Sequence, residues 1–157
     1  MFKNKIRVLS LLLTVFLLVF TVSSVFAAPP LSVHIEVDEI LSLNGEPFAA
    51  SGPAVDDGLV CATGTMEDLS IEVINAQGNS PYTIIRVYKR FSCDDQSGTF
   101  DIKMIVHLDK TSNETTAKWR VVGGTNNYVN LHGTGSLVGT PIVIGESITD
   151  IYDGQMH

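Results

Sequence analysis

Basic residues are scarce in this chain, with 10 Lys+Arg set against 17 Asp+Glu in 157 residues. Three of the ten, Lys3, Lys5 and Arg7, sit at the extreme N-terminus, so the rest of the chain carries seven cations and a formal charge of 7 − 17 = −10. A surface that acidic repels nucleic-acid phosphates and anionic lipid headgroups, and both are set aside as partners. Cysteine is nearly absent too. Cys61 and Cys93 show no Cys-x-x-Cys spacing and no adjacent histidine, which argues against a zinc site built on them. His34, His107, His132 and His157 are scattered, with no His-x-His or His-x-x-x-His pair among them, so no metal is expected. Gly-x-Ser-x-Gly is missing, which removes the usual nucleophile elbow, and Gly-Lys-Ser/Thr is missing, which removes a phosphate loop. The acid-rich stretches "CDDQSGTFD" and "TDIYDG" lack the Asp-x-Asp-x-Asp-Gly order and distal Glu of a calcium loop. Asp94 and Asp95 read instead as turn residues that bond their own backbone. No cofactor is expected.

Long apolar runs are confined to the N-terminus. The basic n-region is followed by an apolar stretch from Val8 to Phe20 and by Val25-Phe26-Ala27, whose last residue is small. This is the pattern of a signal peptide over residues 1–27, cleaved after Ala27 ahead of Pro29-Pro30. Its competitor is a retained anchor, since the stretch to Ala28 is about long enough to span a bilayer. Export with cleavage, and no membrane attachment afterwards, is the expectation. Residues 28–157 then form a single domain. In an oxidising compartment an even cysteine count favours a Cys61–Cys93 disulfide.

Beyond residue 28 no helical stripe appears, and apolar residues alternate with polar ones. Val33, Ile35 and Val37 interleave with His34, Glu36 and Asp38; Leu69, Ile71 and Val73 do the same. Facing strands can be paired by asking where apolar residues meet. A turn in "NAQGNSP" centred on Gln77 sets Leu69 against Ile85, Ile71 against Thr83 and Cys61 against Cys93, with Gly64 and "TGTMED" the place where a bulge would shift the register. A turn in "CDDQSG" sets Phe91 against Phe100, Val87 against Met104 and Ile85 against Val106, and on the other face Arg90 against Asp101 and Tyr88 against Lys103. A turn in "DKTSNE" sets Val106 against Ala117, Met104 against Trp119, Ile102 against Val121 and Lys103 against Arg120. One apolar face then runs through residues 69, 71, 85, 87, 91, 100, 102, 104, 106, 117, 119 and 121. Further strands near 31–42, 131–140 and 142–156 bring the total to roughly seven or eight. The fold expected is all-β, a small closed antiparallel barrel, with a two-sheet sandwich as the alternative.

"WRVVGGTNNYVNLHGTGSL", residues 119–137, is the glycine-richest stretch. No apolar helix follows Gly123-Gly124, so a dinucleotide cradle is excluded and a corner in the sheet remains. Gly133 and Gly135 share one face of the next strand, where a missing side chain admits a large neighbour such as Trp119 or Tyr128. The stretch resembles the "GGTG-x-Y-x-G-x-x-G-x-G" corner of the allene oxide cyclase and dirigent-like barrel superfamily, especially its bacterial secreted members, although Asn126 and Asn130 stand where that pattern has glycine. "CDDQSGTF" and "DIYDGQMH" are similar to segments of those members, and the likeness covers about the last two thirds of the domain. It implies an eight-stranded barrel with an apolar lumen. In the plant enzymes such barrels steer cyclisation of a fatty-acid epoxide, and in dirigent proteins they hold phenoxy radicals or quinone methides. Neither family's catalytic acids fall on matching positions here, so no catalytic residue is named.

Phe91, Phe100, Met104, Trp119 and Tyr128 are the residues offered for a lumen site for a small apolar molecule; the competing reading is plain core. With no catalytic constellation, the chain reads as a secreted, stapled barrel that binds such a molecule or serves as an extracellular module. The alternative is a cofactor-free cyclase or isomerase, which a perturbed ionisable group inside the lumen would favour. Ile84, Ile105 and Val122, apolar on the polar face, mark where a homo-oligomer would form. Asn113-Glu114-Thr115 is a glycosylation sequon on an expected loop.

Overall fold

The computed structural model describes residues 29–75 and 80–157. The signal peptide expected over residues 1–27 and the turn centre at Gln77 lie outside the described residues. The described chain forms strands β1 (Leu31–Ile40), β2 (Glu46–Ser51), β3 (Thr63–Asn75), β4 (Tyr82–Cys93), β5 (Thr99–Asp109), β6 (Thr115–Gly124), β7 (Gly133–Val143) and β8 (Ser147–Met156), with a one-turn helix α1 (Pro53–Asp56) after β2. Each strand runs antiparallel to the next, and β8 pairs with β1 from Met156 opposite Leu31 to Ser147 opposite Ile40. The sheet is therefore a closed eight-stranded barrel, not a sandwich, in which every strand has a neighbour on each side, although the short β2 pairs with β3 only over Thr63–Met66.

Alternation decides what goes inside. Val33, Ile35 and Val37 on β1, Val87 and Phe91 on β4, Phe100, Ile102, Met104 and Val106 on β5, and Ala117 and Trp119 on β6 are all buried. The registers expected for β4–β5 and β5–β6 are those found: Phe91 faces Phe100, Arg90 faces Asp101, Met104 faces Trp119 and Lys103 faces Arg120. A two-pronged salt bridge, in which Arg90 Nε and Nη2 each donate at 2.8 Å to one of the two Asp101 carboxylate oxygens, locks the first of these registers from outside.

The β3–β4 register departs from expectation. Ile71 faces Val87, Val73 faces Ile85, and Gly64, not Cys61, faces Cys93. Two bulges in β3, between Asp68 and Ser70 and between Val73 and Asn75, add residues that β4 does not match. Leu69 falls in the first bulge and is 45% exposed, while Ile71 lies near the open end and is 60% exposed. Neither belongs to the closed core. Cys61 sits ahead of β3 and still reaches Cys93, with Cα atoms 5.9 Å apart.

The antiparallel order gives the barrel two unlike ends. At the lower end, α1 inserts Ala54 into the core, the disulfide ties the α1–β3 segment to β4, and Tyr128 packs from the β6–β7 corner. The Phe91 ring stacks on Phe100 with centroids 4.9 Å apart, and Phe48, Tyr152 and Tyr128 add edge-on partners. The corner uses its glycines for close packing. A Cβ on Gly135 or on Gly154 would meet the Trp119 ring, and one on Gly124 would meet Tyr128. The upper end, where β1 joins β2, β5 joins β6 and β7 joins β8, carries no such cap among the described residues.

Candidate functional site

Inward-facing positions just below the upper end are not apolar. On β1 the inward series Val33, Ile35, Val37 continues into Glu39; on β4 Lys89 stands between Val87 and Phe91; on β8 Asp150 stands between Ile148 and Tyr152. All three charged side chains are buried, with Lys89 at 4%, Asp150 at 5% and Glu39 at 7% exposure. Barrel closure brings them together from strands far apart in sequence. Lys89 Nζ donates to Glu39 Oε2 at 2.7 Å and lies 3.0 Å from Asp68 Oδ1. That second approach is an ion pair without hydrogen-bond geometry, and Asp68 Oδ1 accepts no hydrogen bond. Tyr152 donates its hydroxyl to Asp150 Oδ2 at 3.2 Å, while Asp150 Oδ1 is buried without a partner as long as Glu39 is ionised; a protonated Glu39 donates to Asp150. Glu46, inward on β2, also buries an unpartnered oxygen, Oε1.

Burial dominates the electrostatics. Loss of water raises the Glu39 carboxyl from an ordinary 4.5 to about 7; Lys89 pulls it down, and the Asp150 and Asp68 charges push it back up. Burial likewise raises Asp150. Burial alone would lower Lys89, but Glu39, Asp68 and Asp150 together outweigh it and hold the ammonium charged. The Tyr152 phenol, fully buried beside these carboxylates, is raised well above its usual range and stays neutral. Near neutral pH Glu39 can thus either give or take a proton, next to a fixed positive charge.

Above this polar floor lies a pocket of about 120 Å³ that opens at the upper end. Its walls are aliphatic, from Ile71, Ile85, Val87, Met104, Val106 and Leu137, with Leu41 and Ile148 at the rim. Exposed aliphatics continue around the upper turns: Leu41 is 55% and Leu43 62% exposed after β1, and Ile142 58% and Ile144 69% at the β7–β8 turn.

Of the five residues offered from sequence, Met104 lines this pocket. Phe91, Phe100 and Tyr128 belong to the aromatic packing of the lower end, and the small void that Phe91 and Trp119 share has no room for a water molecule. The charged floor was missed, although its signal was present as charged residues at inward positions of otherwise apolar series. His107 is exposed, as its place on the polar face implied. Asp95 accepts the Ser97 amide at 2.9 Å, which makes "CDDQSG" a turn closed by its own aspartate. Among the described residues no group of three or more His, Cys, Asp or Glu side chains is placed to hold a metal ion, and no helix is long and apolar enough to cross a membrane.

Compared with protein-family models, curated proteins and solved structures, the chain matches none. Fold and site still define a class: a closed antiparallel eight-stranded barrel, stapled and filled with aromatics at one end, open and floored with buried charge at the other.

Proposed function

We propose that this chain is an exported binding barrel that receives a small, mainly apolar molecule with one polar head at the open end of its lumen. The observation that carries this reading is the aliphatic pocket set directly over the Glu39–Lys89–Asp150 cluster. Its volume of about 120 Å³ is close to that of an engineered cavity of roughly 150 Å³ that holds benzene, so a ring or chain end enters and the remainder rests on the exposed aliphatic rim. A donor on the head satisfies the orphaned Asp150 Oδ1. Export is supported by the basic and apolar N-terminus together with the disulfide. The test is native mass spectrometry of protein purified from its own host, followed by titration with a neutral naphthol probe. A copurified small molecule, and one probe site lost in Val106→Trp, are expected; a bare mass with probe binding unchanged in Val106→Trp refutes the reading.

A second reading is favoured by the state of Glu39. A buried carboxyl midway through titration near pH 7, beneath an aliphatic pocket, is suited to proton transfer in a cofactor-free cyclisation or isomerisation. This is the chemistry implied by the resemblance to allene oxide cyclase and dirigent-like barrels. Incubation with an unsaturated fatty-acid epoxide, followed by chiral product analysis, tests it. Glu39→Gln is expected to keep naphthol binding and lose stereoselective turnover. A racemic product from the unsubstituted protein overturns it.

A further inference from the structure

The few cations of this acidic chain are not spread evenly. Of the seven Lys and Arg beyond residue 28, four (Arg86, Lys103, Lys118 and Arg120) line one groove of about 590 Å³ on the outer face of β4–β7. None of the 17 acids lines it, and residues 1–28 and 76–79, outside the described residues, contain no Asp or Glu. Arg86 alone is neutralised, by Glu72 at 2.6 Å. Among the described residues Lys103, Lys118 and Arg120 have no carboxylate within 4.0 Å. The register also sets Lys103 directly opposite Arg120, an arrangement that costs stability in a bare sheet and is relieved by an anion placed between them.

The remaining outward groups of the groove are Tyr88, Ile105, Thr134 and Ser136, across four neighbouring strands. Three interstrand gaps of ~4.8 Å make it about 14 Å across, and its volume falls in the usual range for a small-ligand site. We propose that this groove binds a short acidic saccharide, its carboxylates or sulfates paired with Lys103, Lys118 and Arg120, its hydroxyls bonded to Thr134 and Ser136, and a ring laid on Tyr88. A lipid tail is less suited, because Ile105 is the one outward aliphatic side chain in the groove. Nucleic acid carries a denser line of charge, about one per 1.7 Å of duplex, which the surrounding excess of carboxylates repels more strongly than sparse sugar acids. A second copy docking the same face symmetrically would set cation against cation.

Calorimetric titration of the mature, oxidised protein with chondroitin sulfate oligosaccharide and with oligogalacturonate, against neutral dextran oligosaccharide, tests the assignment. Binding of at least one acidic saccharide, weakening with salt, is expected, and dextran should give no heat. Lys103→Gln with Arg120→Gln should weaken it about tenfold or more, while Lys110→Gln, at the β5–β6 turn outside the groove, leaves it unchanged. The double variant removes a repulsive pair and is expected to fold, which thermal unfolding verifies. The proposal is overturned if neither acidic saccharide binds, if Lys110→Gln weakens binding as much as the double variant, if a single-stranded oligonucleotide or anionic vesicles bind more tightly than the saccharides, or if sedimentation shows a dimer that the double variant abolishes.

Discussion

Glu39→Gln should make this protein more stable at pH 8, although it removes one partner of a buried ion pair. Burial moves the Glu39 carboxyl from 4.5 to about 7, so between those values the folded protein holds a proton that the unfolded chain has released. Folding takes up a proton in that window, and stability therefore falls as pH rises through it and levels off above it. At about 1.4 kcal/mol for each pH unit of displacement, the fall is about 3 kcal/mol. Lys89 stays charged throughout and adds no slope of its own. Asp150, also raised by burial, leaves a residual slope of the same sign in the variant, as does repulsion among surface acids, so the quantity to read is the difference between the two proteins. Urea unfolding of both, disulfide intact, should give nearly equal stabilities at pH 4.5 and a variant about 3 kcal/mol more stable at pH 8. Parallel curves, or a less stable variant at pH 8, would mean that the 2.7 Å attraction to Lys89 exceeds the desolvation cost, and the reasoning would fail.

Lys89→Met strands Glu39, Asp68 and Asp150 together without a counter-charge; it should cost about 3 to 5 kcal/mol at pH 8 and recover toward pH 5 as the carboxyls take up protons, read by the same unfolding series. Replacing both Cys61 and Cys93 by serine opens a loop with a sequence separation of 32 and should lower stability by about 3 to 4 kcal/mol, measured against the oxidised protein in urea. Gly135→Ala drives a methyl into the Trp119 ring and the Asp153 carbonyl, so a loss of about 1 to 3 kcal/mol and a shifted Trp119 emission are expected; an unchanged spectrum would show that the ring does not pack there.

Much of the barrel was legible in the chain because β4, β5 and β6 carry two independent cues at once. Apolar partners such as Met104 and Trp119 meet inside while Arg90 and Asp101 meet outside, and a slip by one residue would break both. The strand β3 was legible, but its register was not. Asn75 opposite Ile84, the pair nearest the turn, is already displaced from the pairing expected about Gln77, and the two bulges, traced in the sequence only by a blurred alternation around Leu69 and Ile74, take back part of that displacement by the Gly64–Cys93 pair. The glycine corner was legible in kind, since Gly135 does make room for Trp119.

Sequence alone determined strand periodicity, the even pair of cysteines, the acidic balance and the absence of familiar catalytic motifs, because each is a local or compositional property. Only the tertiary structure decided where charge is concentrated. Glu39, Lys89 and Asp150 lie on β1, β4 and β8, and Arg86, Lys103, Lys118 and Arg120 on β4, β5 and β6. Alternation assigns each to a face, but which of them become neighbours depends on how the sheet closes and shears. Closure sets a lysine among carboxylates inside the barrel and gathers most of the cations on one outer wall, and each effect depends on distance and burial, which a linear chain does not specify.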